Sequence, residues 1–134
     1  MAEKIKKIFA ATGRRKKAVA RIRVVAEGKG KFVVNGKDCK SYFSTIDSQT
    51  QIRKPLLASE LEGKIDVFAN VSGGGTNGQA GAISLGISRC LVEWNPNLRV
   101  VFRREDLLTR DPRAKERKKY GRKGARRRFQ WTKR

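Results

Sequence analysis

Residues 64–94 read KIDVFANVSGGGTNGQAGAISLGISRCLVEW, and their pattern is the most informative one in the chain for its architecture. In its first part every second residue is apolar, which predicts a half-buried β-strand with Ile65, Val67, Ala69 and Val71 facing inward. A glycine-rich loop follows at residues 73–78, and a helix is predicted from there to about Trp94. A strand, a tight loop and a helix in this order indicate a sheet that is covered by helices.

The predicted helix has two distinct faces. One carries an apolar stripe at the three-to-four spacing of a core face: Ala80, Ile83, Ile87, Leu91 and Trp94. The other carries a small residue at every fourth position, Gly78, Ala82 and Gly86, which allows the helix to lie close to a sheet. Cys90 belongs to the apolar side, where it is predicted to be a small core residue.

Upstream, residues 17–27 alternate in the same way. Small and apolar residues at the even positions 18–26 form the inner face, and the outer face is mostly basic through Arg21 and Arg23. Further strands are predicted at residues 7–12 and 31–35, with a tight turn at 28–30 between the second and third strands. Residues 38–45 do not alternate and are interpreted as a short helical turn, and residues 46–61 as a short helix interrupted at Pro55.

Downstream, Asn95 and Pro96 end the long helix. Pro96 suits the first position of a new helix capped by Asn95, with Leu98, Val101 and Phe102 on its buried face, although residues 99–102 could instead form a strand. The resulting order is β-β-β-α-β-α-α. We predict an α/β (α+β) two-layer sandwich, in which an approximately four-stranded mixed sheet carries helices on one face.

The charge of the chain is extreme and uneven. Its 134 residues contain 33 Lys and Arg against 12 Asp and Glu, a net charge of +21. Residues 110–134 hold 13 of the basic residues and 2 acidic ones, so we predict a globular body at residues 1–109 and an extended basic tail at 110–134. Such a charge requires a polyanion, of which nucleic acid is the first candidate and an anionic membrane the second. Tyr120, Phe129 and Trp131 interleave with the tail's cations, as in base stacking.

Composition also excludes several classes of protein. With no histidine, the commonest general base and metal ligand are absent, and neither a metal nor a cofactor is predicted. Two cysteines, Cys39 and Cys90, cannot form a disulfide framework, which fits a reducing compartment. No apolar run approaches the ~20 residues that span a bilayer, and the first residues are too polar for a secretory signal.

The glycine loop leaves three interpretations open. Gly73, Gly75 and Gly78 have the spacing of a dinucleotide-binding fingerprint, but only one strand–helix unit is present and no acidic residue lies at the expected distance beyond it. The loop could also be merely a tight turn. The interpretation we favour is contact with an RNA phosphate, because the N–H groups at a helix N-terminus attract anions.

Five motifs together resemble one known family. GRRKKAVAR at 13–21, GGGTNGQAGA at 73–82, LLTRD at 107–111, ERKKYG at 116–121 and the terminal TKR at 132–134 are similar to the family of small-subunit ribosomal protein nine, bacterial type. The resemblance extends over essentially the whole chain, with two mild departures. Thr132 stands where Ser is usual, and Trp131 where another aromatic residue is usual.

The resemblance implies a structural, non-enzymatic protein of the cytoplasmic ribosome. It implies binding to small-subunit ribosomal RNA in the head of the subunit, next to other head proteins, and a body with a left-handed βαβ crossover, against the usual hand. It further implies a tail that reaches the tRNA in the peptidyl site. By position, this tRNA contact falls to Arg128, Thr132, Lys133 and Arg134.

The residues predicted to bind ribosomal RNA form three groups. The first is the basic run and the strand that follows it: Arg14, Arg15, Lys16, Lys17, Arg21 and Arg23. The second is the glycine loop: Gly74, Gly75, Thr76 and Gln79. The third is the tail: Arg110, Arg113, Arg117, Lys118, Lys119, Tyr120, Arg122, Lys123, Arg126 and Arg127. Arg14 to Lys17 are expected to form one continuous basic face with Arg21 and Arg23.

Overall fold

A computed structural model describes residues 7–110, 112–113, 117–123 and 126–127. The strands are β1 Ile8–Arg15, β2 Ala18–Val25, β3 Phe32–Val34, β4 Lys37–Asp38 and β5 Asp66–Ser72. The helices are α1 Cys39–Tyr42, α2 Ile46–Ala58, α3 Thr76–Trp94 and α4 Leu98–Arg104. The α+β class is confirmed.

The sheet that these strands form is mixed and open. Its order is β1-β2-β5-β3-β4, so the strand of residues 64–94 lies at the centre. β1, β2 and β5 pair antiparallel, whereas β5 and β3 pair parallel, with Val33 opposite Phe68. The chain between β3 and β5 therefore makes a crossover through β4, α1 and α2. The left hand of this crossover stays a prediction.

Helix α3 packs on one face of the sheet through the predicted small residues. A Cβ atom added to Gly86 would overlap Cγ1 of Ile22 on β2, and one added to Gly13 on β1 would overlap the carbonyl oxygen of Ala82. Backbone thus touches backbone where β1 crosses α3. The apolar stripe of α3 is buried as predicted, apart from the half-buried Trp94, and Cys90 is fully buried.

The strands differ from the predictions in two details. The described residues form five strands rather than about four, because Lys37 and Asp38 pair with β3 in a strand too short to show alternation. β1 continues to Arg15 instead of ending at residue 12, and only Lys16 and Lys17 turn the chain into β2. Lys16 takes a φ of +54°, which allows so short a turn.

The helices differ from the predictions in smaller ways. α2 is not interrupted at Pro55 but runs to Ala58; the proline removes the hydrogen bond to the carbonyl oxygen of residue 51, and only three helical residues follow it. α4 is a helix, as favoured over a strand, but it begins at Leu98. The side chain of Asn95 accepts a hydrogen bond from the N–H of Asn97 at 3.2 Å. Phe102 is buried as predicted, whereas Val101 is exposed.

Candidate nucleic-acid interface

One face of the sheet carries exposed cations. Because β1 and β2 alternate, Arg14, Arg21 and Arg23 point away from the helices, and all three are exposed. Arg21 lies opposite Thr12 on β1 and Asn70 on β5. We call the surface of sheet residues that point away from the helices the open face. It presents guanidinium groups held at fixed strand spacing, an arrangement suited to phosphate oxygens.

Arg15 does not belong to the open face. It follows Arg14 on β1 and therefore points to the helix side, where its side chain lies against Gly81. Its Nη1 atom donates a hydrogen bond to the carbonyl oxygen of Asn77 at 3.3 Å. The expectation of one continuous basic face from Arg14 to Lys17 is therefore wrong, since strand alternation divides the run between two faces.

The glycine loop lies directly beside the turn between β1 and β2. Gly73 and Gly74 have φ values of +75° and +65°, and a Cβ atom on Gly73 would lie 2.6 Å from the carbonyl oxygen of Lys17. Glycine is thus required here both for its conformation and for the close approach. Lys17 is thereby placed next to Gly73, the side chain of Lys16 lies near Gly78 in the first turn of α3, and both lysines are exposed. We call the surface formed by Lys16, Lys17 and the glycine loop the turn–loop end.

A chain of polar side chains fixes the glycine loop. The Asn35 side chain accepts from the N–H of Val71 at 2.8 Å and donates to its carbonyl oxygen at 3.0 Å. The Tyr42 hydroxyl donates to Oε1 of Gln79 at 2.8 Å, and Nε2 of Gln79 donates to the carbonyl oxygen of Gly73 at 3.1 Å. Gln79 therefore positions the loop. Asn35 and Tyr42 were missed by sequence analysis, since their partners lie 36 and 37 residues away.

The tail begins where the core ends. Leu107 is buried and Leu108 packs partly against the core. Every described residue beyond Leu108 is exposed except Arg122, which is half-buried. The Nη1 of Arg122 donates to the carbonyl oxygen of Arg126 at 3.1 Å, and the ring of Tyr120 is fully exposed.

Of the tail residues predicted to bind RNA, the structure describes those assigned to ribosomal RNA but not those assigned to tRNA. Those within the described residues are exposed or, for Arg122, half-exposed: Arg110, Arg113, Arg117, Lys118, Lys119, Tyr120, Arg122, Lys123, Arg126 and Arg127. Arg113 also lines a hollow of about 230 Å³ with Lys54, Glu105 and Asp106, where the two carboxylates offset the positive charge. The residues predicted to contact tRNA, Arg128, Thr132, Lys133 and Arg134, lie outside the described residues.

The titratable groups give no sign of a reaction centre in the part of the chain that the structure describes. Burial raises the pKa of the Cys90 thiol to about 12, with the negative charge of Glu93 adding to the effect, and burial also raises the pKa of Cys39. Both thiols are therefore poor nucleophiles. Among the described residues no group of side chains could hold a metal ion, and no helix is long and apolar enough to cross a membrane.

The fold and surface define a class: a small, strongly basic α+β protein with an open cationic sheet face and a basic C-terminal segment. The sequence matches the family described as Ribosomal protein S9/S16 over residues 13–134, and the chain belongs to that family. Two similar proteins are each called small ribosomal subunit protein uS9, from Anaeromyxobacter sp. (strain K) and Anaeromyxobacter dehalogenans (strain 2CP-1 / ATCC BAA-258). Each is 53% identical over 122 residues, which cover 91% of this chain and 93% of the relative.

Family membership confirms two predictions. The resemblance read from the five motifs is correct, and the family is structural and non-enzymatic, which removes the dinucleotide-dependent enzyme as an interpretation of the glycine loop. The element after α3 is a helix, α4, as expected for a chain that lacks the second half of a dinucleotide fold.

Proposed function

We propose that this chain is a structural constituent of the small ribosomal subunit that binds small-subunit ribosomal RNA in the head. The observation that carries the proposal is the match of residues 13–134 to a ribosomal protein family, in a chain whose net charge is +21. Family membership also supports the cytoplasmic ribosome as its location and neighbouring head proteins as partners. The body, residues 1–109, docks on folded RNA through the open face and the turn–loop end.

The tail, residues 110–134, has a different task. Its 13 basic residues neutralise phosphates where RNA strands crowd together, and its last residues reach the tRNA in the peptidyl site. A guanidinium at Arg134 can hold a phosphate in a bidentate way, and Lys133 adds only a point charge, so the contact rests on two cations. The tRNA contact is accordingly modest and independent of sequence, since only base edges specify.

The separate contributions of body and tail to RNA binding are tested by the salt dependence of the affinity. If about half of the tail's cations meet phosphates, truncation after Thr109 lowers the slope of log affinity against log salt by roughly 5. The matched body variant, Arg14→Gln with Arg21→Gln and Arg23→Gln, removes three cations and lowers the slope by about 2 to 3. Filter binding to small-subunit ribosomal RNA measures both. Equal slopes for the full-length and truncated proteins would refute the division.

The tRNA contact needs a separate experiment. Deleting residues 132–134 should leave ribosomal RNA binding nearly unchanged and weaken tRNA binding at the peptidyl site of reconstituted small subunits. The expected loss is about 1–3 kcal/mol, as for charge-assisted hydrogen bonds. The control is Arg126→Gln, which removes one cation earlier in the tail. If the deletion leaves tRNA affinity unchanged, the terminal residues are ordinary ribosomal RNA ligands.

A further inference from the structure

The open face has an apolar half beside its cationic half. Phe68 lies on the central strand β5, between Arg23 on β2 and Val33 on β3. Ile8 and Val25 are paired on the adjacent strands, and Ile8 is 60% exposed. These residues surround a shallow hollow of about 430 Å³ whose rim includes Arg23 and Asn70. Among the residues that the structure describes, Phe68 is half-buried at the centre of this face, and its neighbours Ile8, Arg23 and Asn70 are exposed.

The cationic half adjoins this hollow without a break. A second depression, lined by Thr12, Arg21 and Asn70 among others, shares Arg23 and Asn70 with the hollow around Phe68. A third connects Arg21 and Asn70 to Arg14. Moving along the sheet, a ligand therefore meets the ring of Phe68 beside Arg23, then the amide of Asn70 beside Arg21, and then Arg14. This sequence of chemistries matches an unstacked nucleotide: a base on a ring, hydrogen bonds at its edge and a phosphate on arginine.

We propose that the hollow around Phe68 binds an unpaired base of single-stranded RNA, with the ring of Phe68 stacked on the base and Arg21 and Arg23 on the flanking phosphates. The inference rests on the proposed binding of ribosomal RNA and specifies which RNA element the open face takes. Charge complementarity selects RNA as the occupant, because the cations of the open face outnumber its acids. Oδ1 of Asp66 already accepts the backbone N–H groups of Lys29 and Lys31, each at 2.9 Å. Asp38, opposite Val33 at the edge of the hollow, is one negative charge against the guanidinium groups of Arg14, Arg21 and Arg23.

The test compares single-stranded and duplex RNA of equal length. Fluorescence anisotropy measures the binding of the full chain to a 12-nucleotide uridine- and adenosine-containing strand and to a 12-base-pair duplex, at one salt concentration high enough to weaken phosphate contacts. Phe68→Leu removes the ring and keeps an apolar side chain, whereas Phe68→Tyr keeps the ring. The matched control is Phe9→Leu, which removes a half-buried ring that stacks on Trp94 on the opposite face of the sheet. Circular dichroism verifies that each variant is folded.

Phe68→Leu removes the stacking of one base on the ring. We therefore expect it to weaken single-strand binding about 5-fold or more, while duplex binding changes less than about 2-fold. Phe68→Tyr should bind like the original chain, and Phe9→Leu should not alter the ratio of the two affinities. An unchanged ratio for Phe68→Leu, in a chain that binds RNA, would overturn this inference and leave the proposed function standing. The same holds if Phe68→Leu weakens only incorporation into subunits, which would show that the hollow contacts another component of the subunit. A chain that binds neither RNA would overturn both.

Discussion

The contact between Gly13 and helix α3 predicts a large loss of stability for Gly13→Ala. The added Cβ would lie 2.5 Å from the backbone nitrogen of Gly86 and would overlap the carbonyl oxygen of Ala82, whereas ordinary van der Waals contact begins at 3.4 Å. Strand and helix must therefore separate by more than about 0.9 Å, the difference between these two distances, because the overlap with Ala82 is closer still. Overpacking costs about 1–3 kcal/mol, and the upper end applies because backbone atoms cannot rotate away.

The unfolded chain offsets part of that cost, since alanine loses about 0.5–1 kcal/mol less conformational entropy than glycine. We therefore expect Gly13→Ala to lower the free energy of unfolding by about 2–3 kcal/mol, a fall of about 10 °C in Tm. Urea unfolding followed by circular dichroism measures it.

The matched control is Gly81→Ala on the same helix. There the three atoms nearest the new Cβ all belong to the side chain of Arg15, which can move, and the helix gains about 1 kcal/mol in propensity. Gly81→Ala should therefore be neutral or stabilising. If the two variants unfold at the same urea concentration, the backbone contact does not limit the fold.

Three further outcomes are expected. The free energy of unfolding should decline above pH 9, because the pKa of Cys90 lies near 12 in the folded protein and near 9 in the unfolded chain. The stabilisation from the protonated thiol is complete below pH 9 and falls by about 1.4 kcal/mol per pH unit until about pH 12. Comparison with the pH dependence of Cys90→Ala isolates this contribution. Asn35→Ala should cost about 1–3 kcal/mol in urea unfolding, because both backbone groups of Val71 lose their partner; an unchanged midpoint would show that water replaces it. Leu107→Ala should cost about 2–5 kcal/mol, because its side chain closes the core, and a smaller effect than that of Leu57→Ala, an exposed leucine, would contradict this.

The sequence was sufficient to predict features that repeat along the chain. The alternation in β2 and β5 and the apolar stripe of α3 predicted strands, a helix and most of the core, because periodicity reports one-sided burial directly. The exposed Arg21 and Arg23 followed from the same alternation. The pairing of β4 did not, since two residues have no periodicity and their partner is set by the tertiary fold.

The candidate interface was less accessible to prediction where distant residues decide it. Arg15 lies on the helix side because β1 continues to residue 15. The pattern from which β1 was predicted stops at residue 12, and the Gly and Arg residues that follow do not indicate that the strand continues. The bond from Tyr42 to Gln79 joins residues whose separation in sequence gives no signal. The hollow around Phe68 arises only once β3 pairs with β5, because Val33 and Phe68 are far apart in the chain.

The central place of β5 in the sheet has a consequence for the order of folding during synthesis. β1 and β2 form a hairpin of neighbouring segments, but β3 has only β4 and β5 as partners, and β5 is made more than 30 residues later. The ribosome therefore releases two separate hairpins that cannot join until residues 66–72 emerge. Contacts this distant in sequence form slowly, and the unpaired edges are exposed in the interval. We expect nascent chains that end before residue 64 to be cleaved readily by protease, and chains that extend beyond residue 94 to resist cleavage within the body.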